Sequence, residues 1–281
     1  MKLMRYGPKG HEKPGLIDAE GEIRDLSAHI IDIDGALLGE GLATLATIDP
    51  ATLPRIDSPV RIAEPVAKVG KFICIGLNYS DHAAESGMPE PSEPIIFTKA
   101  TSAIIGPNDT VLLPPGSSKS DWEVELGVVI GKEARYVPLE EAIDHVAGLV
   151  VVNDLSEREY QLERGGQWDK GKGCDTFGPF GPWLVTLDEI EDVGNLGLWL
   201  DLNGKRMQTG NTKSLIFDVP FLVHYVSQFM SLQPGDIIST GTPPGVGLGM
   251  KPPLFLKDGD VMTLGIDGLG EQRQEVRAAR L

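Results

Sequence analysis

Asp121-Trp122-Glu123-Val124-Glu125-Leu126-Gly127-Val128-Val129-Ile130 is the stretch on which the fold reading turns. It is a strand by its alternation and its β-branched residues, and strand periodicity puts Glu123 and Glu125 on one face with apolar neighbours on both sides. Two carboxylates pointing into one buried space repel each other and lose hydration, so they call for a compensating cation. A third, Asp154, closes the apolar run Gly148-Leu149-Val150-Val151-Val152-Asn153 at a strand end. Three carboxylates without His or Cys partners favour a hard cation, Mg²⁺ or Mn²⁺, over zinc. Spacing alone is equally consistent with a solvated strand face, and a lone Asp154 with a turn residue.

Further strands are expected at 95–98, 148–152, 183–186, 198–203 and 236–239, and before them at 72–76. Lys2-Leu3-Met4-Arg5-Tyr6, Gly15-Leu16-Ile17 and Ile23-Arg24-Asp25-Leu26 alternate as strands do and make a small N-terminal β module. It ends in the proline-bearing linker Ile56-Asp57-Ser58-Pro59 to Glu64-Pro65, which divides the chain into 1–66 and 67–281. Two helices punctuate the rest. One covers 139–146 behind Pro138, with Leu139, Ile143 and Val146 on a shared face. The other follows Asp218-Val219-Pro220, carries Leu222, Tyr225, Val226 and Phe229 on one side, and stops at Pro234-Gly235. Many short strands with few helices specify a β-rich α+β fold rather than an alternating doubly wound one.

Composition narrows the function classes. With 281 residues there is material for a large core, and 34 Gly with 21 Pro suit a loop-rich globular chain. A formal net charge of −16 argues against a nucleic-acid partner, which needs clustered Lys and Arg. No stretch is long and apolar enough to span a membrane, and Met1 to Gly15 has no signal-peptide core, so the cytoplasm is the expected address. Cys74 and Cys174 stand far apart and read as reduced, structural cysteines.

Three more features bear chemistry. His82 and Glu85 are i and i+3 neighbours on a helix starting at Ser80 or Asp81, and a carboxylate so placed would make the imidazole a better base. The alternative is a surface glutamate beside a structural histidine. His11, His29, His145 and His224 have no carboxylate at a telling spacing. Pro-rich 86–94 after that helix is a candidate lid. Lys170-Gly171-Lys172-Gly173 holds lysines between glycines, suited to an oxyanion near a metal or to an ordinary basic turn. Thr240-Gly241-Thr242-Pro243-Pro244-Gly245-Val246-Gly247 offers hydroxyls and amides to a carboxylate, or is a plain loop. There is no P-loop, no G-x-S-x-G elbow and no H-E-x-x-H, and prolines deny Gly245-Val246-Gly247-Leu248-Gly249 the setting of a dinucleotide fingerprint. Activated water is thus a better candidate nucleophile than serine or cysteine.

Taken in order, Gly76-Leu77-Asn78-Tyr79-Ser80-Asp81-His82, the run 94–107 with Lys99, Asp121 to Glu125, Asn153-Asp154, Lys172 to Phe177 with Gly181-Pro182, and Ser239 to Pro243 resemble the fumarylacetoacetate hydrolase family over roughly residues 70 to 275. The resemblance implies a mixed, rolled β-sheet fold with a smaller N-terminal part, usually dimeric. It implies metal ligands at Glu123, Glu125 and Asp154, a water-activating dyad at His82 and Glu85, and Lys172 beside the substrate oxygens. It also implies Lys99, Arg158, Gln161 and Thr240 as contacts to a small 2-oxo acid. The chain is most similar to bacterial members that hydrolyse 2,4-dioxo-3-deoxy sugar acids from rhamnose or fucose, some of which carry the name ureidoglycolate lyase. One departure stands out: some acylpyruvate-cleaving members have an arginine where this chain has Leu77. Rival readings are a decarboxylase of oxaloacetate, an acylpyruvate hydrolase, an isomerase or hydratase on the same scaffold, and a non-catalytic 2-oxo acid binder.

Overall fold

The computed structural model describes residues 1–57, 59–81 and 90–279. Along these residues run β1 (Lys2–Tyr6), β2 (Lys13–Ile17), β3 (Ile23–Asp25), β4 (Ile62–Ala63), β5 (Phe72–Gly76), β6 (Ile95–Lys99), β7 (Ile104–Ile105), β8 (Val111–Leu113) and β9 (Ser120–Asp121). They continue as β10 (Val124–Ile130), β11 (Val146–Asn153), β12 (Ser156–Glu157), β13 (Gly178–Thr186), β14 (Gly197–Leu202), β15 (Lys205–Asn211), β16 (Ile237–Ser239), β17 (Val261–Ile266) and β18 (Gly270–Ala278).

The large sheet has the order β3-β2-β1-β13-β11-β10-β16-β5-β6, with β4 beside β1 and β7 beside β13. It is mixed, because β16 pairs with β5 in parallel while β10 and β11 are antiparallel. A second sheet, β15-β14-β17-β18-β8, packs on it, and β9 pairs with β12 as a short ribbon. This is the β-rich α+β architecture expected from the sequence. Residues 1–66 supply β1 to β4, and β1 enters the large sheet through β13, with Leu3 opposite Leu184.

β10 sits between two cores, and its alternation sorts its side chains between them. Val124, Leu126, Val128 and Ile130 join the core shared with the second sheet and with the helix Val219–Ser227. Val129, with Val150 and Val152 of β11, joins the core built with Leu3, Leu16, Leu26, Phe72 and Cys74. Gly127 lies on this second face, where a Cβ would fall within 2.7 Å of methyls of Val150 and Val152. Glu123 and Glu125 therefore share the face of Val129 at the opposite end of the strand.

The helices differ from expectation. Leu139–His145 is a 3₁₀ helix, whose tighter winding buries Ala142 together with His145 and leaves Leu139 half exposed. The helix Val219–Ser227 starts as expected, with the Asp218 carboxylate accepting from the Phe221 amide at 2.9 Å, but ends well before Pro234. Its buried face is Val219, Leu222, Val223 and Val226. Tyr225 and Phe229 belong to an outer aromatic row with Phe221. Among the described residues no helix is long and apolar enough to cross a membrane.

Candidate metal centre and active site

Asn153 ends β11 opposite Val124, and the Asp154 amide donates to the Glu123 carbonyl at 2.8 Å. That bond pins the end of one strand to the start of the next, and Glu123, Glu125 and Asp154 each bring a carboxylate oxygen within 4.8 Å of the others, all buried. The solvated-face alternative for Glu123 and Glu125 is thereby excluded.

Among the described residues three cations surround them. Lys172 Nζ donates to Glu123 Oε2 at 2.6 Å and to Asp154 Oδ2 at 2.8 Å. Lys99, at the end of β6, donates to Asp154 Oδ1 at 2.5 Å and to the Leu155 carbonyl at 2.9 Å. Arg158 donates to Glu123 Oε1 at 2.7 Å, to Asp121 Oδ2 at 2.9 Å and to Gln161 Oε1 at 3.0 Å. Among the described residues the donors to Glu125 are neutral, the Ser239 hydroxyl at 2.6 Å and the Gly241 amide at 2.9 Å.

The carboxylates separate accordingly. Burial pushes Glu123 upward, but Lys172 and Arg158 outweigh it and bring its pKa down to about 2. Glu125 is pushed well above the ordinary range, by burial first and then by Asp154 and Glu123. Among the described residues four carboxyl groups, Asp121 included, meet three cations here, so the ionised form of Glu125 has no ion-pair partner. A hard divalent cation fits this donor set: three buried carboxylate ligands, one of which, Glu125, needs a positive charge to hold its ionised form. Thr240 Oγ1, fully buried in the loop that holds Glu125, has no hydrogen-bond partner among the described residues, a further polar atom suited to a ligand.

Glu123, Glu125, Arg158, Gln161 and Lys172 open onto a cavity of about 400 Å³. Lys99 stands behind Asp154, paired to it in full burial. His82 and Glu85 lie outside the described residues, as do 86–89 of the segment 86–94.

Asp121 is a site residue that the sequence reading passed over. Its carboxylate holds Arg158 and accepts from the amides of Gly247 at 2.7 Å and Leu248 at 3.0 Å. The Ser239–Gly247 loop thus does grip carboxylates, but those of Glu125 and Asp121. The available signal was the position of Asp121 beside the Glu-x-Glu strand. Lys172 is held between glycines for a steric reason: a Cβ on Gly171 would come within 2.3 Å of the Glu157 carbonyl. Neither thiol is activated, since burial raises Cys74 well above its ordinary value and Cys174 to about 11.

Known proteins share this framework. The family described as fumarylacetoacetate (FAA) hydrolase, C-terminal, matches residues 71–277. A Burkholderia lata protein whose name assigns it provisionally to the hydrolases is 61% identical over 282 residues, covering all of both chains. The structure of a fumarylacetoacetate hydrolase from Exiguobacterium antarcticum superposes with a TM-score of 0.90 at 35% identity, over 99% of this chain and 100% of that one. That of maleylpyruvate hydrolase from Sphingobium sp. SYK-6, in complex with manganese(II) and pyruvate, gives 0.83 at 32% identity over the full length of both.

Proposed function

The chain belongs to the fumarylacetoacetate hydrolase family, and from that premise we propose that it is a divalent-metal-dependent hydrolase cleaving the C3–C4 bond of a 2,4-dioxo acid to pyruvate and a second carboxylic acid. The observation that carries this reading is the meeting of Glu123, Glu125 and Asp154 beside Lys172 and Arg158 at one end of a cavity. The manganese and pyruvate of the Sphingobium enzyme support it.

Glu123, Glu125 and Asp154 hold the ion. Mg²⁺ or Mn²⁺ so bound would supply positive charge to the carboxylate and 2-oxo oxygens of the substrate, drawing electrons from the bond to be broken. Lys172, pinned by two carboxylates, presents a fixed ammonium to oxygen that becomes negative as C3–C4 breaks. Arg158, fixed by Asp121 and Gln161, orients the acid end. Of the other contacts implied by the family resemblance, Lys99 braces Asp154 from behind, and Thr240 offers a hydroxyl, unbonded among the described residues, near Glu125. His82, supported by Glu85, takes a proton from the water whose oxygen bonds to C4, and a proton is returned to C3 of the departing pyruvate.

The resemblance to sugar-acid members names a 2,4-dioxo-3-deoxy sugar acid as substrate, with lactate as the second product. The apolar part of the cavity lining, with Leu77, Phe97, Leu162 and Trp168, favours an acylpyruvate whose acyl group carries no hydroxyl.

The test is pyruvate release from a panel of 2,4-dioxo acids with Mg²⁺, followed with and without a chelator. Pyruvate is expected in stoichiometric amount with the second acid, chelation is expected to stop it, and His82→Ala is expected to lose about a hundredfold to ten thousandfold in turnover. Carbon dioxide with a single organic acid from oxaloacetate would make the chain a decarboxylase, and binding without conversion a mere 2-oxo acid binder.

A further inference from the structure

The cavity is divided. Its charged and polar groups among the described residues, Glu123, Glu125, Arg158, Gln161, Lys172 and Thr242, are largely committed to one another. Arg158 and Lys172 are tied to carboxylates, and the Gln161 oxygen is held by Arg158. The Thr242 hydroxyl donates to the Val124 carbonyl at 2.9 Å and accepts from Gln208 at 2.8 Å. The rest of the wall comprises chiefly Leu77, Phe97, Leu162, Trp168, Val246 and Leu248.

This apolar wall is built, not incidental. Trp168 meets Phe97 edge-on, with ring centroids 5.4 Å apart. It also packs so closely on Gly76 that a Cβ there would sit 2.5 Å from the indole. Lys172 Nζ lies 4.9 Å from the centre of the Phe97 ring, so that ring marks the border between the charged end and the apolar one. Leu77 holds a left-handed backbone, φ +54, which a leucine seldom adopts and which marks a position constrained by its surroundings. Leu162 and Leu248 are 45% and 38% exposed, although they line a cavity that an apolar ligand would cover.

We propose that the substrate is an acylpyruvate whose acyl group, beyond the carbonyl attacked by water, is a hydrocarbon chain or ring without hydroxyl or charge. This rests on the hydrolase reading above. Water adds across C3–C4: its oxygen bonds to the acyl carbon, C3 takes a proton, and the products are pyruvate and the acid R–COOH. A second carboxylate on R would face no cation among the described residues beyond the charged end, and hydroxyls against Leu77, Leu162, Val246 and Leu248 would lose hydration to side chains that offer no hydrogen bond.

The test uses the Mg²⁺-loaded protein and separates the two claims. Calorimetric titration with 2-oxohexanoate, 2-oxoheptanoate and 2-oxooctanoate, which lack the 4-oxo group and are not cleaved, is expected to show affinity rising about fourfold for each added methylene. 2-Oxoheptanedioate is expected to bind more weakly than 2-oxoheptanoate. The kcat/KM for alkyl- or aryl-bearing 2,4-dioxo acids should exceed that for 5-hydroxy-2,4-dioxohexanoate by tenfold or more. Leu77→Asn, which keeps a residue tolerant of the left-handed backbone, should shrink that ratio. Flat affinity along the series, or preference for the hydroxylated or dicarboxylic ligands in the unaltered protein, would overturn the inference while leaving the hydrolase reading standing. A chain-length gradient without pyruvate release from any 2,4-dioxo acid would uphold an apolar subsite but remove the hydrolytic reaction, and with it the acylpyruvate assignment.

Discussion

Glu125 is the residue on which the centre balances. Glu123 and Asp154 are each bonded to lysine or arginine, whereas Glu125 faces two like charges and, among the described residues, is bonded to a hydroxyl and an amide, with Lys172 acting on it without a direct bond. An acid whose folded pKa is raised above its unfolded value weakens the metal-free fold as pH climbs past the unfolded value. Glu125→Gln keeps the shape and an oxygen for Ser239 and Gly241 while removing the charge. Its metal-free unfolding midpoint near pH 7 is expected to rise, measured by thermal denaturation in chelator, while the stabilisation that Mn²⁺ gives the unaltered protein is expected to vanish. A lower midpoint would mean that the Glu125 charge is compensated by something other than a metal. The clustering of these residues was half legible in sequence: strand alternation fixed Glu123 and Glu125 on one face, but burial and the approach of Asp154 depend on β10–β11 register. Asp121 is marked in sequence by its place beside the Glu-x-Glu strand, but that place alone does not distinguish an arginine clamp from a strand-end aspartate.

At the scale of elements, the short helix Asp169–Lys172 carries Lys172 into the carboxylates, and Gly171 lets it come close. Gly171→Ala is expected to push this helix from Glu157 and lower kcat/KM at least tenfold. Gly268→Ala, at a turn where no atom lies within 4 Å of the new methyl, is expected to alter only local stability. Equal activity of the two variants would separate Lys172 placement from catalysis. Elements with apolar alternation were legible, as β10 and β11 illustrate. β18 was not, because its inward positions include Gln272 and Gln274, polar residues that pass for surface in a sequence. They are buried through amide bonds, Gln272 to the Val151 carbonyl at 2.7 Å and Gln274 to the Pro107 carbonyl at 2.5 Å. The helix at 139–145 was read with the wrong period, since 3₁₀ winding repeats every three residues.

Across the whole molecule, an ion network joins the N-terminal strands to the larger part. Arg5 pairs with Asp32 and Glu64, while Arg61 pairs with Glu12 and Asp109. Burial raises Asp109, but Arg61 and the Gly106 amide outweigh it and hold its carboxyl below the usual value. Glu12 is held down in the same way by backbone amides, Arg5 and Arg61. Such depressed acids stabilise the fold fully above their unfolded values and lose that contribution as pH falls through the folded ones, a window below about pH 4. Thermal midpoints taken from pH 5 to pH 3 are therefore expected to fall, and less steeply in Asp109→Asn. The loss for that variant at neutral pH is about 1 kcal/mol at most, because the pair is partly exposed. An unchanged slope would mean that other acids govern acid unfolding.

The most direct test of the centre itself is equilibrium titration of Mn²⁺, followed by the paramagnetic resonance of the free ion, with the unaltered chain and with Glu123→Gln, Glu125→Gln and Asp154→Asn in turn. One tight site per chain, lost or weakened at least a hundredfold in each variant while the fold is retained, is the expected result. Undiminished Mn²⁺ binding in the three folded variants would contradict a metal held by these carboxylates.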